Sequence, residues 1–154
     1  MWLIVAGMFG GIEGGGNEIR NLLSIANWNL EKVKNNAGMF WNCALEDATG
    51  MQNWKITKID GDMFNDCLNL KSIIIPASVT TIAENAFENC TSLSKIKILT
   101  IDAENINYTN AFLTINQNSK IYVLSEEIKA KLEGSYDTTK TTIEVVTQEQ
   151  MNQI

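Results

Sequence analysis

The chain has 154 residues, 45 % of them apolar, and sets 18 acidic side chains against 12 basic ones for a net charge of −6. That length fits one domain and that composition fits a folded one, while the acidic balance argues against a nucleic-acid binder driven by phosphate neutralisation and against adsorption to anionic membranes. No histidine is present, which removes Ser-His-Asp and Cys-His catalysis and every His-ligated metal site.

The first segment, Met1 to Ile12, is uncharged and apolar. It resembles the apolar region of a signal peptide but lacks its basic start, so it is read as folded. No stretch approaches the roughly 20 apolar residues that span a bilayer, so no membrane insertion is expected. Gly10 and Gly15 have the spacing of a phosphate loop, but Gly16 and Asn17 stand where Lys and Ser or Thr belong. The segment Gly10–Asn17 reads as a flexible turn after an atypical first coil.

Self-similarity dominates the centre of the chain. Met39-Phe40-Trp41-Asn42-Cys43, Met63-Phe64-Asn65-Asp66-Cys67 and Ala86-Phe87-Glu88-Asn89-Cys90 align on Phe and Cys at nearly equal steps. Ala111-Phe112 follows one step further on, with Ile115 in place of the cysteine. Ala6-Gly7-Met8-Phe9 matches Ala37-Gly38-Met39-Phe40 letter for letter.

A second column keeps the same register. Leu70-x-x-Ile73-x-Ile75 recurs one step later as Leu93-x-x-Ile96-x-Ile98. Asn118-x-x-Ile121-x-Val123 and Lys140-x-x-Ile143-x-Val145 continue it forwards, and Leu45-x-x-Ala48 and Leu22-x-x-Ile25 continue it backwards in degraded form. In x-Ile-x-Ile the two apolar residues share one face of a strand. One short strand cannot bury that face, but stacked coils paired as a parallel sheet can. Ile56 and Ile59, repeated at the same step as Val79 and Ile82, form a third apolar column. Pro76 ends the strand before it, because proline cannot donate to the ladder.

The run Ile82 to Ile98, with Ala86-Phe87, Cys90, Ser92-Leu93 and the strand Ile96-x-Ile98, closely resembles the BspA-type leucine-rich repeat of bacterial and protist surface proteins. Asn27-Trp28 and Asn53-Trp54, each followed by Met-Phe and Cys, resemble a related bacterial variant. The resemblance implies an α/β leucine-rich-repeat solenoid of about five to six coils, with a short parallel sheet and a C-terminal cap helix. The resemblance is good over 56–98 and weak over 1–25 and 99–117. The chain reads as one domain, 1–154: atypical N-terminal coils over 1–38, core repeats over 39–117 and a cap over 118–154. The resemblance further implies an extracellular or cell-surface module that binds a protein, such as a host or matrix protein.

At the C-terminus, 124–134 reads as a short helix with Ser125 as N-cap, Glu126 and Glu127 in the positive first turn, and Gly134 at its end. Ile128 and Leu132 share its inner face. Strands at 120–123 and 142–146 flank it. The polar tail Thr147–Ile154 is expected to fray or to stretch across the end.

Few residues can carry chemistry. Cys43, Cys67 and Cys90 occupy an apolar column and read as a buried, reduced ladder. Asp60, Asp62 and Asp66 fail the calcium-loop pattern and read as a solvated turn. Trp28 and Trp54 read as coil packing; Trp2 and Trp41 read as core or cap, with an exposed contact the alternative. No cofactor or metal is expected. A glycosidase using two carboxylates needs no histidine, but no acidic pair is marked for it.

If the inner isoleucines face the core, their neighbours face out. Ser72, Ile74, Lys95, Lys97, Lys120 and Tyr122 then form the candidate binding face, with Asp47 and Thr49 before them and Thr142 and Glu144 after. An aromatic and desolvatable cations suit protein recognition. A segment that assembles into a longer repeat protein is the alternative.

Overall fold

The computed structural model describes residues 3–4, 8–9, 19–108, 111–112, 114–134 and 141–154. The glycine-rich turn Gly10–Asn17, Trp2 and Lys140 lie outside the described residues. The strands are β1 (Leu3–Ile4), β2 (Val33–Asn35), β3 (Asp47–Ala48), β4 (Lys58–Ile59), β5 (Ser72–Ile75), β6 (Thr81–Ile82), β7 (Lys95–Ile98), β8 (Lys120–Val123) and β9 (Thr142–Val145). Helix α1 (Glu126–Glu133) separates β8 from β9, and helix α2 (Gln148–Gln153) follows β9.

Five strands make one parallel sheet in the order β3-β5-β7-β8-β9, which is chain order. Each strand therefore pairs with its counterpart one repeat away. The register joins Ile73 to Ile96, Ile96 to Ile121 and Ile121 to Ile143. These residues are buried, as are Ile75, Ile98 and Val123 in the next inward row. An isolated parallel bridge from Asn21 to Asp47 extends the pairing by one more repeat towards the N-terminus.

The third apolar column forms its own ladder, β4 with β6, in which Ile59 pairs with Ile82. A bridge from Thr81 to Asn107 adds a third rung. Tyr108 is buried beside that rung, and its hydroxyl donates to the Val79 carbonyl. The step from Ile82 to Tyr108 is longer than the step from Ile59 to Ile82, so the connector over 99–107 absorbs the difference. Strand β1 pairs with β2, which gives the segment at Leu3 and Ile4 a place in the fold.

The phenylalanines close the core opposite the sheet. Phe9, Phe40, Phe64, Phe87 and Phe112 stack in one column, with ring centroids 5.4, 5.4, 5.3 and 5.3 Å apart. These separations suit offset stacking. Trp54 is buried against Phe40 and donates to the Ile25 carbonyl at 3.0 Å, while Trp28 tilts on Phe9 at 5.7 Å. Both tryptophans are packing residues, as their spacing suggested.

The residue before each cysteine, Asn42, Asp66 and Asn89, has φ of 53°, 60° and 59°. Asn and Asp tolerate this left-handed conformation better than other side-chain-bearing residues. The turn it makes aims the next thiol at the repeat before. Cys43 donates to the Phe9 carbonyl at 2.8 Å, Cys67 to Phe40 at 3.1 Å and Cys90 to Phe64 at 3.1 Å. All three cysteines are free and buried. Burial pushes the Cys43 thiol up to about 11 and Cys90 to about 12, and it raises Cys67 as well.

Helix α1 starts where Ser125 Oγ accepts from the Ile128 amide at 3.3 Å, and it buries Ile128 and Leu132. Gly134 ends it at φ −69°, without the left-handed turn that glycine permits.

Candidate binding face of the parallel sheet

The residues that alternate with the inward isoleucines form two outward rows. Asp47, Ser72, Lys95, Lys120 and Thr142 are mutual partners in the first. Ile74, Lys97, Tyr122 and Glu144 are partners in the second. The strand pairing thus brings Ser72, Ile74, Lys95, Lys97, Lys120 and Tyr122 onto one surface, as alternation alone predicts.

Their exposure is not what alternation predicts. Ile74 and Tyr122 are each only 9 % exposed. Gln52 and Leu99 from neighbouring segments and Met151 from α2 line a crevice with Ile74, and the polar tail was not expected to form that helix. Thr147 caps it: its hydroxyl accepts from the Gln150 amide at 3.2 Å, and the Gln150 side chain accepts from the Thr147 amide at 2.9 Å. This is a capping box, and its Thr-x-x-Gln signature was readable in Thr147-Gln148-Glu149-Gln150.

Helix α2 lies on the outward rows. Lys97 Nζ donates to the Met151 carbonyl at 2.8 Å, and Lys95 Nζ donates to the Ile154 carbonyl at 3.1 Å. Met151 is 1 % exposed. A crevice of about 270 Å³ is lined by Gln52, Ile74, Lys97, Leu99, Gln148, Met151 and Asn152. Partial burial, together with the Lys95 charge alongside, holds the Lys97 ammonium below its usual range. Gln52, Leu99, Met151 and Asn152 therefore belong to the face although the strand pattern did not mark them.

The ends of the face are polar. Lys120 pairs with Glu144 at 2.9 Å, and that hydrogen bond raises its pKa. Ser72 donates to Asp47 at 3.2 Å, and the same carboxylate accepts from the Thr49 amide at 2.7 Å. Beside the sheet, Glu46 takes Lys71 at 2.9 Å and Arg20 at 3.1 Å. These contacts hold its carboxyl below the usual range, Lys71 most strongly.

The acidic residues on the opposite wall lie at a half-exposed turn, as expected, but their carboxylates are not simply solvated. Asp60 and Asn36 exchange hydrogen bonds: the Asn36 amide donates to Asp60 at 3.0 Å and the Asp60 amide to Asn36 at 2.8 Å. Asp62 accepts from Asn65 at 2.8 Å and Asn85 at 2.9 Å. Asp66 accepts from Asn89 at 2.9 Å and from the Trp41 indole at 3.3 Å. Each carboxylate is a bracket between repeats, which neither spacing nor charge signals. Trp41 is 39 % exposed over this wall, the alternative to a core or cap position. Among the described residues no group of three or more Cys, Asp or Glu side chains is placed to hold a metal ion. Among them no helix is long and apolar enough to cross a membrane.

A model of the BspA-type leucine-rich repeat region matches residues 23–154 in six copies. No curated protein matches the chain.

Proposed function

Because the chain belongs to the BspA-type leucine-rich-repeat family, we propose that it is a non-enzymatic protein-binding or adhesion module acting through the outward face of its sheet. The reading takes residues 1–154 as a single domain, a solenoid of about five to six coils, working outside the cell or on its surface. One observation carries it. On an acidic chain, the strand register gathers Lys95, Lys97 and Lys120 beside Ile74 and Tyr122. Cations beside an aromatic and an aliphatic side chain suit a protein partner, although Ile74 and Tyr122 are themselves buried. The test uses the immobilised chain and an extracellular-matrix protein extract. The combined variant Lys95→Ala, Lys97→Ala, Tyr122→Ala should lose the captured species while its unfolding temperature stays within a few degrees. Undiminished capture would sink the assignment of the face.

A second reading, a segment of a longer assembly, is favoured by β9. Among the described residues it is the last strand of the sheet, so a further repeat could pair with its outer edge. Sedimentation that stays monomeric at high concentration would count against it. The two-carboxylate hydrolase gains no support, because Asp60, Asp62 and Asp66 are engaged in brackets between repeats.

A further inference from the structure

The wall opposite the sheet carries a crevice that follows from the repeat. Gly38, Asp62 and Asn85 hold the same place in successive repeats, and so do Trp41, Asn65 and Glu88. Where the later repeats have a side chain Gly38 has none, although its φ of 61° matches the 58° of Asp62. Beside it lies a crevice of about 480 Å³ lined by Ala37, Gly38, Trp41, Asp62 and Asn65. Trp41 is its aromatic side. The indole is 39 % exposed, and its Nε1–H is fixed on Asp66 at 3.3 Å.

The polar groups of the crevice are one-sided. Its side-chain donors are already spent: Asn65 Nδ2 donates to Asp62 at 2.8 Å and to Glu88 at 3.4 Å, and the Trp41 indole donates to Asp66. The backbone amides of Ala37, Gly38, Trp41 and Asn65 donate to Asn35, Gly61, Gly38 and Asp62. Acceptors remain. Asp62 takes both of its side-chain bonds on Oδ1, and its Oδ2 meets no donor among the described residues. Asn65 Oδ1 is, among the described residues, the one buried side-chain nitrogen or oxygen without a partner, and such atoms are rare enough to need a reason. Among the described residues no salt bridge reaches Asp62, Asp66 or Glu88; the nearest joins Lys58 to Asp60.

A ligand for these groups must bring donors, positive charge and a flat face. A sugar also brings acceptors, for which the walls hold no free side-chain donor. An ammonium brings donors and charge as a compact, strongly hydrated point. A guanidinium has donors only, and its weakly hydrated plane stacks on an indole. We propose that the crevice is a binding site for a guanidinium group, the arginine side chain of a partner protein. The plane stacks on Trp41. Its N–H groups donate to Asp62 Oδ2 first, and to Asn65 Oδ1 as that side chain turns outward. The only arginine of the chain, Arg20, is held by Glu46 beside the sheet, so the group comes from outside residues 1–154. The site lies across the core from the sheet face, and neither depends on the other.

The test titrates the whole, isotope-labelled chain with an end-capped peptide of one arginine between glycine pairs. It follows the Trp41 indole N–H signal, identified by its loss in Trp41→Phe. That signal should shift and saturate at about millimolar peptide. Asp62→Asn keeps an oxygen for Asn65 and Asn85 and suits the left-handed backbone, so it should fold and bind about five-fold more weakly. Gly38→Asn suits its backbone for the same reason and should fill the crevice and abolish the shift. The same peptide with citrulline, which keeps the shape and loses the charge, should not bind, and the lysine peptide should bind more weakly. The peptide series needs no variant to fold. No shift with the arginine peptide would overturn the proposal, as would equal binding of the citrulline or lysine peptide, or undiminished binding by folded Gly38→Asn. A saturable shift with methyl glucoside and none with the arginine peptide would overturn it in favour of a saccharide site.

Discussion

The two sides of the five-stranded sheet are made by the same residues in alternation, yet they are covered in different ways. On the inner side, Ile73, Ile96 and Ile121 are sealed by the repeats themselves, against a column of phenylalanines that continues from one repeat to the next. On the outer side, Ile74 and Tyr122 are covered next to α2, which is held by one buried methionine and two lysine contacts. Inner burial is shared along the chain and cannot be lost in one place without disturbing neighbours. Outer burial draws on residues outside the strand pattern: Gln52 and Leu99 line the crevice beside Ile74 together with Gln148, Met151 and Asn152 of α2. One sheet thus has a side closed by the repeat and a side finished by other elements.

The contrast is testable by degree. Phe87→Ala removes a ring stacked between Phe64 and Phe112. It should cost about 3–5 kcal/mol in a denaturant titration, and a loss below about 1 kcal/mol would mean that the column does not carry the inner side. Gly50→Ala probes how closely repeats approach, since a β-carbon there would lie 2.8 Å from the Leu22 carbonyl carbon and oxygen. A cost of about 1–3 kcal/mol is expected, and no change in the denaturation midpoint would show that the repeats can spread. Met151→Ala should cost less than Phe87→Ala, about 1–2 kcal/mol, because Met151 lies outside the main core. A loss as large as that of Phe87→Ala would erase the distinction between the two sides.

The smallest effect lies at the rim of the sheet. Glu46 is held below the ordinary carboxylate range by Lys71 first and Arg20 second. Its folded-state pKa is depressed, so its contribution is fully present above the unfolded carboxylate pKa and is lost as pH falls through the lower, folded value. The pair is exposed, so the contribution is small. The stability difference between the unaltered chain and Glu46→Gln should shrink as pH falls across that acid window. A difference that stays constant from neutral to strongly acid pH would contradict the assignment.

What could be read from residues alone follows the same division. Ile73-x-Ile75, Ile96-x-Ile98 and the Phe-and-Cys column were legible because a repeat writes long-range pairing as a local period. The inner side and the strand register follow from that, while α1 was legible from its own Ser125 cap and acidic first turn. Helix α2 was missed because its composition is polar and its burial depends on a surface far away along the chain, as the Lys97–Met151 contact shows. Only its capping box was local. Asp60, Asp62 and Asp66 looked like solvated charges because their partners Asn36, Asn85 and Asn89 sit one repeat away and carry no charge to mark them. The outward face was located by alternation, but its partial cover was not, since alternation says which way a side chain points and nothing about what lies above it.

The alternation in β7, Lys95-Ile96-Lys97-Ile98, also limits how such a gene can change in length. One extra codon inside that strand would turn both lysines into the core and both isoleucines out of it. The connector over 99–107 makes the step from Ile82 to Tyr108 longer than the one from Ile59 to Ile82, so it has already taken up added length without breaking the ladder beside it. Inherited insertions and deletions should therefore fall in connectors or come as whole repeats, the steps that separate Phe40, Phe64, Phe87 and Phe112. Duplication of a complete unit adds a rung to every column at once, so the length of this protein is free to vary by units where it is not free to vary by single residues.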